Sequence, residues 1–477
     1  MKDSGSLKKM LISVDEWERR VAVIESARLV EIYIEKIGRP KITGNIYLGK
    51  VKDVVPGMEA AFVDIGRKKN AFMTAEEALY EEVKNSILSI EKVLRPKQSI
   101  LVQVLKQEKK GKGSRVTSLI TIPGRFLVLM PYSDMVGISR RLPDERREEF
   151  KELGENIKPK GMGIVIRTAA ERATVNDLEK DLDVLVKTWK EIFKKSKKSV
   201  SPSLVHKELD LPLRAVRDIF SSDFHALYVD SLHHYQLIIK YLDAVAPELK
   251  EKVISYSEKI PLFAKYRVDD SIEVVLDRKV WLKSGGHIVI DTTEALTSID
   301  VNTGKYVGGK DLEETIFNTN MEAVKEIIMQ IRLRDIGGII IIDFIDMKRE
   351  THKEELFNLF NKKLLSDRAK SRVNEFSSLG LVEMTRKSIG ESFEVIFQTC
   401  PVCKGAGHIL SEDTASVVLA RKILSFCMKS KDDAFLMKIN PKMLSFFVEK
   451  KWLFLEKVKN LTGKKVLVVG DIDIIPG

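Results

Sequence analysis

The chain has 477 residues, a length that suits about three domains. Its composition, 44% hydrophobic and 31% charged, is typical of a soluble globular protein, and no apolar run is long enough to cross a membrane. The 80 Lys and Arg residues exceed the 69 Asp and Glu residues and give a net charge of +11, which favours an anionic partner such as nucleic acid. The N-terminal MKDSGSLKKM has no apolar signal core, and three cysteines are too few for a disulfide framework, so we expect a reducing, cytoplasmic location.

The first two segments are rich in strand patterns. Residues 9–36 contain three short runs that predict strands, KMLISV, RVAVIES and RLVEIYIEK, and in the last of them Leu29, Ile32 and Ile34 are interleaved with charges. The piece is too short to be a domain, so we expect it to join a sheet that is completed later in the chain. In residues 44–73, short β-rich runs are punctuated by glycines such as Gly49 and Gly66, which predicts a small barrel.

The predicted barrel carries aromatic and basic residues. Phe62 and Phe72 are accompanied by the cations of Lys68, Lys69 and Lys112. Stacking on bases together with phosphate contacts explains such a face. The alternative is that both phenylalanines belong to the core, which is the commoner location of Phe. The stretch resembles the S1-type OB fold, an RNA-binding barrel in which the positions matching the two phenylalanines face RNA.

The next segment combines a strand end with a helix. Within residues 162–174, an apolar strand closes on Arg167 and Thr168, and a guanidinium beside a hydroxyl suits a terminal phosphate. The alternative is an exposed Arg followed by a turn-forming Thr. Apolar residues at helical spacing predict an amphipathic helix over residues 178–192, and the Lys- and Ser-rich residues 194–203 are predicted to be a linker. Further on, residues 271–300 are predicted to be a β-meander that leads into a layered α/β domain.

Two apolar strands of this α/β segment end in carboxylates. The alternation around Ile299 predicts a strand that carries Asp300, and the apolar run 339–342 predicts a buried strand that ends at Asp343. Apolar residues at helical spacing lie between them, so the crossover is helical and the strands are parallel. Parallel strands end at the same edge of a sheet, so we expect both acids and Asn302 to lie near one another. Paired carboxylates at that edge suit Mg²⁺.

Two other interpretations of the stretch stay open. The acids can be ordinary strand-end carboxylates that cap neighbouring amides. Residues 304–310 also match the GxxxxGK pattern of a phosphate-binding loop. Asp311 then stands where that loop needs a Ser or Thr hydroxyl, and its negative charge would repel phosphate, which argues against the loop.

A CxxC motif, Cys400 to Cys403, follows the α/β segment. It supplies two thiolates, whereas a structural zinc ion takes four ligands. His408 or Cys427 could add a ligand, although neither spacing is typical of a zinc site. Two chains that each contribute the pair would complete a tetrahedral site, and this predicts a dimer. The redox alternative lacks the βαβ context of a thioredoxin.

In this order the motifs resemble the RNase E/G family: the S1-type barrel, SIDVNTG, FNTN, RLRDIGGIIIIDFIDM, DRAK and CPVC followed by GxG. The length is similar to that of ribonuclease G or a short RNase E. The resemblance implies an α+β and α/β multidomain fold, with an S1-type OB barrel inserted in an RNase H-like domain and a DNase I-like α/β catalytic domain after it. The implied domains are a first RNase H-like segment (1–37), the S1-type domain (38–122), the 5′-sensor region (123–203), a second RNase H-like segment (204–279), the DNase I-like domain (280–399), a zinc link (400–412) and a small C-terminal domain (413–477).

The resemblance also implies roles for single residues. The catalytic centre would be formed by Asp300, Asn302 and Asp343, of which the two acids hold Mg²⁺. Five positions match those that bind the 5′-monophosphate of the substrate: Gly124, Val128, Arg167, Thr168 and Lys370. Three match RNA contacts in the barrel, namely Phe62, Phe72 and Lys112, and Cys400 and Cys403 match a structural zinc pair shared between chains. At position 370 the family commonly has Arg, and Lys keeps the charge but lacks the planar fork, which puts the strength of 5′-phosphate sensing in doubt.

The resulting hypothesis is a Mg²⁺-dependent endoribonuclease that cleaves single-stranded, A/U-rich RNA and leaves 5′-monophosphate products. The implied substrates are rRNA and tRNA precursors and mRNA, and the implied assembly is a homodimer or a dimer of dimers joined by zinc. The alternative is a non-catalytic RNA-binding or ribosome-assembly factor that uses the barrel alone. That alternative explains the basic charge but leaves the two strand-end acids without a role.

Overall fold

The structure is a computed structural model that describes residues 7–38, 41–78, 89–108, 113–275, 277–304, 312–389, 400–403, 405, 407, 409–439 and 452–470. The chain divides into two compact units, Met1–Val395 and Ile396–Gly477. Among the described residues, no helix combines the length and apolar character that a membrane span requires.

The chain begins with three antiparallel strands, β1 (Lys8–Val14), β2 (Glu18–Glu25) and β3 (Arg28–Lys36). A closed barrel follows. Its strands and two short helices are β4 (Ile46–Val55), β5 (Ala60–Asp64), β6 (Ala71–Thr74), α1 (Ala75–Ala78), α2 (Ile90–Val93), β7 (Ser99–Lys106) and β8 (Arg115–Thr117). Because β4 pairs with both β5 and β7, the five strands close into a ring, which is consistent with an OB-type fold. Gly49 allows this closure, since a Cβ there would come within 2.5 Å of Val63 Cγ1.

A small four-stranded sheet and two helices come next. They are β9 (Ile122–Pro123), β10 (Leu127–Met130), β11 (Val136–Ile138), α3 (Asp144–Ile157), β12 (Gly163–Ile166) and α4 (Val175–Lys198). The apolar face of α4 packs with this sheet in one core. The linker predicted over residues 194–203 is wrong for its first half, because α4 continues to Lys198. Lysine is a good helix former and its charge is favourable at a helix C-terminus, so the basic run extends the helix.

The first sheet is completed by the following segment. Its elements are β13 (Ser203–His206), α5 (Leu211–Asp218), β14 (Phe224–Val229), α6 (Leu232–Val245), β15 (Val253–Ser255), α7 (Leu262–Lys265) and α8 (Val268–Val274). β13 joins the barrel beside β4, whereas β14 pairs in parallel with β1. The five-stranded order is therefore β15-β14-β1-β2-β3, so the N-terminal strands belong to a sheet that closes more than 200 residues later.

The α/β segment forms a six-stranded sheet with helices on one face. Its elements are β16 (Lys279–Trp281), β17 (His287–Thr292), β18 (Leu296–Asn302), α9 (Leu312–Leu333), β19 (Gly338–Asp343), α10 (Glu350–Leu364), β20 (Ser371–Phe376) and β21 (Leu381–Arg386). The strand order is β16-β17-β18-β19-β21-β20, and α9 and α10 share an apolar core with the sheet. The predicted β-meander over residues 271–300 is wrong at its start, which is occupied by α8.

The second unit is small. It contains α11 (Glu412–Lys429), β22 (Ala434–Ile439), α12 (Trp452–Thr462) and β23 (Lys465–Gly470). β22 and β23 are parallel, and α12 lies between them in the chain. The RNase H-like and DNase I-like assignments and the domain boundaries stay predictions.

Candidate functional site

The two strand-end carboxylates lie opposite each other. β18 and β19 are parallel neighbours joined by α9, and Asp300 is in register with Asp343. Neighbouring strands lie about 4.8 Å apart, so the two side chains leave the sheet side by side. Ile299 and Ile342 are buried against the helices, and the two-residue period of a strand therefore turns both acids to the open face, where they are exposed.

Negative charge accumulates at this edge of the sheet. Asn302 Nδ2 donates to Asp300 Oδ2 at 2.8 Å, which fixes the orientation of that carboxylate. The pKa of Asp343 is raised, first by partial removal of its carboxyl group from water and then by the negative charges of Asp300 and Asp346. A bound divalent cation would relieve this repulsion.

The turn after Asp343 is held from behind by a buried amide. Asn320, on α9, has no exposed surface; its Nδ2 donates to the carbonyl of Ile345 at 2.8 Å, and its Oδ1 accepts from the amide of Ile345 at 3.1 Å. Sequence analysis missed this positioning residue. The available signal was its spacing, because an Asn that recurs with Val324 and Ile327 on the apolar face of a helix needs hydrogen-bond partners inside the core.

The donor set fits Mg²⁺ better than a structural zinc ion. In the described part of the chain, no three His, Cys, Asp or Glu side chains come together as a metal site. Two carboxylates are enough for Mg²⁺, which keeps several waters and usually takes one or two protein carboxylates. A structural zinc ion takes four protein ligands. The residues that would hold Mg²⁺ are therefore Asp300 and Asp343.

Three predicted features fall wholly or largely outside the described residues. They are the GxxxxGK segment from residue 305 onward, Lys112 and His408.

The two barrel phenylalanines lie together on the outside of the barrel. Phe62 on β5 pairs with Phe72 on β6, and their ring centroids are 5.7 Å apart at an angle of 62°. Val63 and Met73 point into the barrel and are fully buried, whereas the two aromatic rings are half-buried. The two phenylalanines therefore do not lie in the barrel core, which was the alternative to an RNA contact.

Four of the five predicted 5′-phosphate residues surround the small four-stranded sheet. Val128 lies on β10 and Gly124 follows β9, while Arg167 and Thr168 follow β12. The Arg167 guanidinium donates to the carbonyl of Gly124 and forms an ion pair with Asp218 at 2.7 Å. The fold therefore gathers these four positions at one small sheet, where the Arg167 guanidinium contacts Gly124.

Sequence analysis missed the acid that engages Arg167. Partial removal of the Asp218 carboxyl group from water acts to raise its pKa, but the guanidinium groups of Arg217 and Arg167 outweigh this effect and lower it. Asp218 is therefore a carboxylate that holds Arg167 in place. A phosphate bound at this position would compete with that carboxylate for the guanidinium.

A second acid, which is buried, explains why residue 124 is glycine. Asp181, on α4, is 1% exposed and accepts from the amides of Arg125, Phe126 and Leu127 at 3.2, 2.8 and 3.0 Å. A Cβ on Gly124 would come within 2.5 Å of its carboxylate. An acid at helical spacing within the apolar face of α4 was the sequence signal for this contact.

Lys370, the fifth position, lies on a different segment. Its side chain is exposed. Arg141 donates to the carbonyl of Ala369, and the nearby Ser139 hydroxyl shares a hydrogen bond of 2.7 Å with that of Thr168. These contacts bring the DRAK segment next to the small sheet.

The CxxC pair lies in the second unit. Cys400 is exposed and Cys403 half-buried. The amides of Gly407 and Gly405, together with the Cys400 side chain, lower the pKa of the Cys403 thiol, which favours the thiolate that binds metal. Cys427 is 1% exposed and packs within the core of the unit, which favours a structural role for this thiol over a zinc ligand.

Comparison with known proteins extends over both units. The ribonuclease E/G family model matches residues 121–389, more than half of the chain, and the model of the RNase E/G thioredoxin-like domain matches residues 399–476. The second match corrects our expectation that the CxxC lacks a βαβ context, since β22, α12 and β23 follow it in that order.

Full-length relatives give the same result. Ribonuclease G of Haemophilus influenzae is 38% identical over 471 residues, and ribonuclease G of Escherichia coli K12 is 38% identical over 470 residues; both matches cover 96% of each chain. Ribonuclease E of Haemophilus influenzae is 37% identical over 435 residues, which are 89% of this chain and 46% of that protein. The chain therefore belongs to the ribonuclease E/G family.

Proposed function

We propose that the protein is a Mg²⁺-dependent endoribonuclease. The observation that carries the proposal is the parallel register of Asp300 and Asp343 on the open face of the sheet, with Asn302 bonded to the first carboxylate. Family membership supports RNA as the substrate, since the full-length relatives are named ribonucleases. A barrel-only RNA-binding factor would not need this pair of acids.

The chemistry follows from the groups at the edge of the sheet. Bound by the two acids, Mg²⁺ would neutralise charge on the scissile phosphate and lower the pKa of a bound water. Asp300 and Asp343 would hold the ion that faces the phosphate, and Asn302 keeps the first carboxylate in one orientation. In the hydrolysis, the oxygen of water bonds to phosphorus, the bond to the 3′ oxygen breaks, and the 3′ oxygen takes up a proton. The downstream product then carries a 5′-monophosphate.

Two other surfaces define the substrate in this proposal. Phe62 and Phe72, with Lys112, hold an unpaired and preferably A/U-rich strand by stacking, because duplex RNA hides its base faces. Gly124, Val128, Arg167, Thr168 and Lys370 bind the 5′-phosphate of the RNA. We further propose that rRNA and tRNA precursors and mRNA are substrates, that the protein acts in the cytoplasm, and that zinc shared through Cys400 and Cys403 joins two chains.

The test replaces one of the two acids and compares the variant with a matched control. Asp343→Asn should lower cleavage of a 5′-labelled A/U-rich single strand in Mg²⁺ by a factor of about 1000 or more, because it removes half of the carboxylate pair. Asp291→Asn is the control: Asp291 lies on the same open face but pairs with Arg278, and we expect cleavage to stay near wild type. Binding of the strand by Asp343→Asn, measured by fluorescence anisotropy, should persist.

Three results would overturn the proposal. They are full cleavage by Asp343→Asn, cleavage that is unchanged by EDTA, and binding without cleavage by the wild-type protein. The last result would favour the non-catalytic RNA-binding factor. Products that carry a 3′-phosphate would refute the direction of bond breakage.

A further inference from the structure

An exposed tryptophan stands on the same sheet face as the two acids. Trp281 ends the edge strand β16, and its side chain is 64% exposed. Its neighbour Val280 takes the buried position, so the strand period turns Trp281 to the open face. A single exposed aromatic residue is common on protein surfaces and carries no inference by itself. The place of Trp281 in the sheet does carry one.

Strand pairing puts Trp281 beside the candidate active site. One cross-strand row runs from Trp281 through His287 to Asn302. The next row on the same face runs from Lys279 to Asp300, two strands away. With strands about 4.8 Å apart, Trp281 lies roughly 10 Å from the row position of Asn302, a distance that a neighbouring nucleotide spans.

Side-chain contacts join Trp281, Lys279 and His287 into one group, which we call the platform. The ammonium of Lys279 lies 4.1 Å from the centroid of the Trp281 ring, and the rings of Trp281 and His287 are 5.3 Å apart at 55°. His287 Nδ1 is buried and finds no hydrogen-bond partner among the described residues. Burial and the charge of Lys279 lower the pKa of His287 against the opposing effect of Asp300.

We propose that Trp281, flanked by Lys279 and His287, is a base-stacking subsite for an unpaired nucleotide next to the phosphate that Asp300 and Asp343 face. The proposal rests on the endoribonuclease function and deepens it, because it names a part of the site that selects single-stranded RNA. Duplex RNA hides the base faces that an indole ring would stack on.

The chemistry of the platform fits a nucleotide. An indole face stacks on any of the four bases, and the Lys279 ammonium, which lies over the ring, can turn to the phosphate of the same nucleotide when a base takes its place. The cation also matters because Asp300 and Asp343 are negative and repel the RNA backbone on this face. Lys279 thus offers positive charge on the flank of an acidic centre.

The first experiment detects the contact without cleavage. Asp343→Asn protein is mixed with single-stranded RNAs that each carry one 5-iodouridine, placed at successive positions around the cleavage site, and is then irradiated. We expect one position next to the cut to crosslink to Trp281, identified by mass spectrometry of the peptides. Crosslinks that reach only the barrel phenylalanines at every position would overturn the proposal.

The second experiment measures the effect on cleavage. Trp281→Ala should raise KM for an unstructured strand about tenfold with a smaller change in kcat, since stacking contributes mainly to binding. Trp281→Phe should recover most of that loss because it keeps a stacking face. Trp17→Ala is the matched control: Trp17 is 74% exposed on the turn between β1 and β2, in another sheet, and its removal should leave KM unchanged.

The outcomes separate this proposal from the proposed function. A crosslink to Trp281, combined with a wild-type protein that does not cleave RNA, would refute the nuclease function but leave the stacking subsite standing. Unchanged KM for Trp281→Ala, or an equal loss in Trp17→Ala, would overturn the subsite and leave the nuclease function standing. A change of oligomeric state in Trp281→Ala with RNA affinity unchanged, measured by sedimentation, would show that the ring serves contact between chains and would also overturn it.

Discussion

One buried carboxylate joins three distant parts of the chain. Glu31, on β3, is 5% exposed and forms ion pairs with Arg332 at 2.9 Å and Arg368 at 2.6 Å. Burial acts to raise the pKa of Glu31, but the two guanidinium groups outweigh it and lower the pKa to about 2. The arginine of the DRAK motif therefore has a structural partner in the first sheet.

We predict that Glu31→Gln lowers the free energy of unfolding by about 3 kcal/mol at neutral pH, because it removes the carboxylate that two guanidinium groups share, although Arg332 keeps Glu25 as a partner at 3.0 Å. The ordinary pKa of Glu is 4.5 and the folded value is about 2, so the stabilisation is complete above pH 4.5 and is lost as the pH falls toward 2. The difference between wild type and variant should therefore shrink between these pH values. Urea unfolding at pH 7 and pH 3 measures it.

Glu16→Gln serves as the control for this prediction. Glu16 is an exposed acid on the turn between β1 and β2, and its replacement should change stability by no more than about 0.5 kcal/mol. A Glu31→Gln variant as stable as Glu16→Gln, or a difference that grows on acidification, would contradict the buried ion-pair argument.

At the level of single residues, the local sequence pattern predicted where functional residues lie in the chain, but it did not predict which distant side chains they contact. The neighbourhood of Asp300 and Asp343 followed from two strand ends and a helical crossover, which are short-range features. Glu31 and Arg332 are 301 residues apart in the chain, and no local periodicity links them. Asp218 was missed for a related reason, because Arg167 meets it only after the small sheet and α5 have packed together.

Among the elements, α9 does more than connect two strands. Its apolar face lies on the sheet, while Asn320 bonds both backbone groups of Ile345 in the turn that follows β19. We predict that Asn320→Ala lowers stability by about 1–3 kcal/mol, because the amide and carbonyl of Ile345 lose their partner. It should also lower kcat by about tenfold to a hundredfold, since the strand end that carries Asp343 becomes less well fixed.

Asn318→Ala is the matched control, because Asn318 is exposed on the same helix. Melting curves and single-turnover cleavage should separate the two variants. RNA affinity in the Asp343→Asn background should be unaffected by Asn320→Ala, as expected for a residue that positions a catalytic group. Equal kcat values for the two asparagine variants would refute the role of the turn.

Helices and strands were predicted correctly where the apolar residues of a segment follow a single repeat. The parallel unit β18–α9–β19 combines an alternating strand, a long 3.6-residue pattern and a short apolar strand, and each has a distinct signature. The segment 194–198 failed because its composition is that of a linker, whereas its propensity is helical. The α8 region failed because Val and Ile suggested a strand, although Asp269 and Asp270 in its first turn favour a helix.

For the whole molecule, the second unit carries the cysteine pair for which we propose a zinc ion shared between two chains. Cys400 and Cys403 are accessible, Cys427 is in the core, and the described residues provide no further cluster of ligands. We propose that a second copy of the chain supplies the other two of the four ligands that a structural zinc ion takes. The barrel, the acid pair and the tail were all readable from sequence, but the number of copies depends on surfaces that sequence pattern does not encode.

We predict that a Cys400→Ser/Cys403→Ser variant loses zinc and dissociates into smaller species, because two thiolates from each of two chains are needed to close the tetrahedral site. Sedimentation velocity with metal analysis should give one zinc ion per two wild-type chains and none for the variant. Cys427→Ala is the matched control: it removes a thiol from the core, so it should lower stability slightly while zinc content and assembly stay unchanged. One zinc ion per chain would mean that ligands within a single chain complete the site, and a variant that keeps the wild-type assembly would mean that other surfaces hold the copies together.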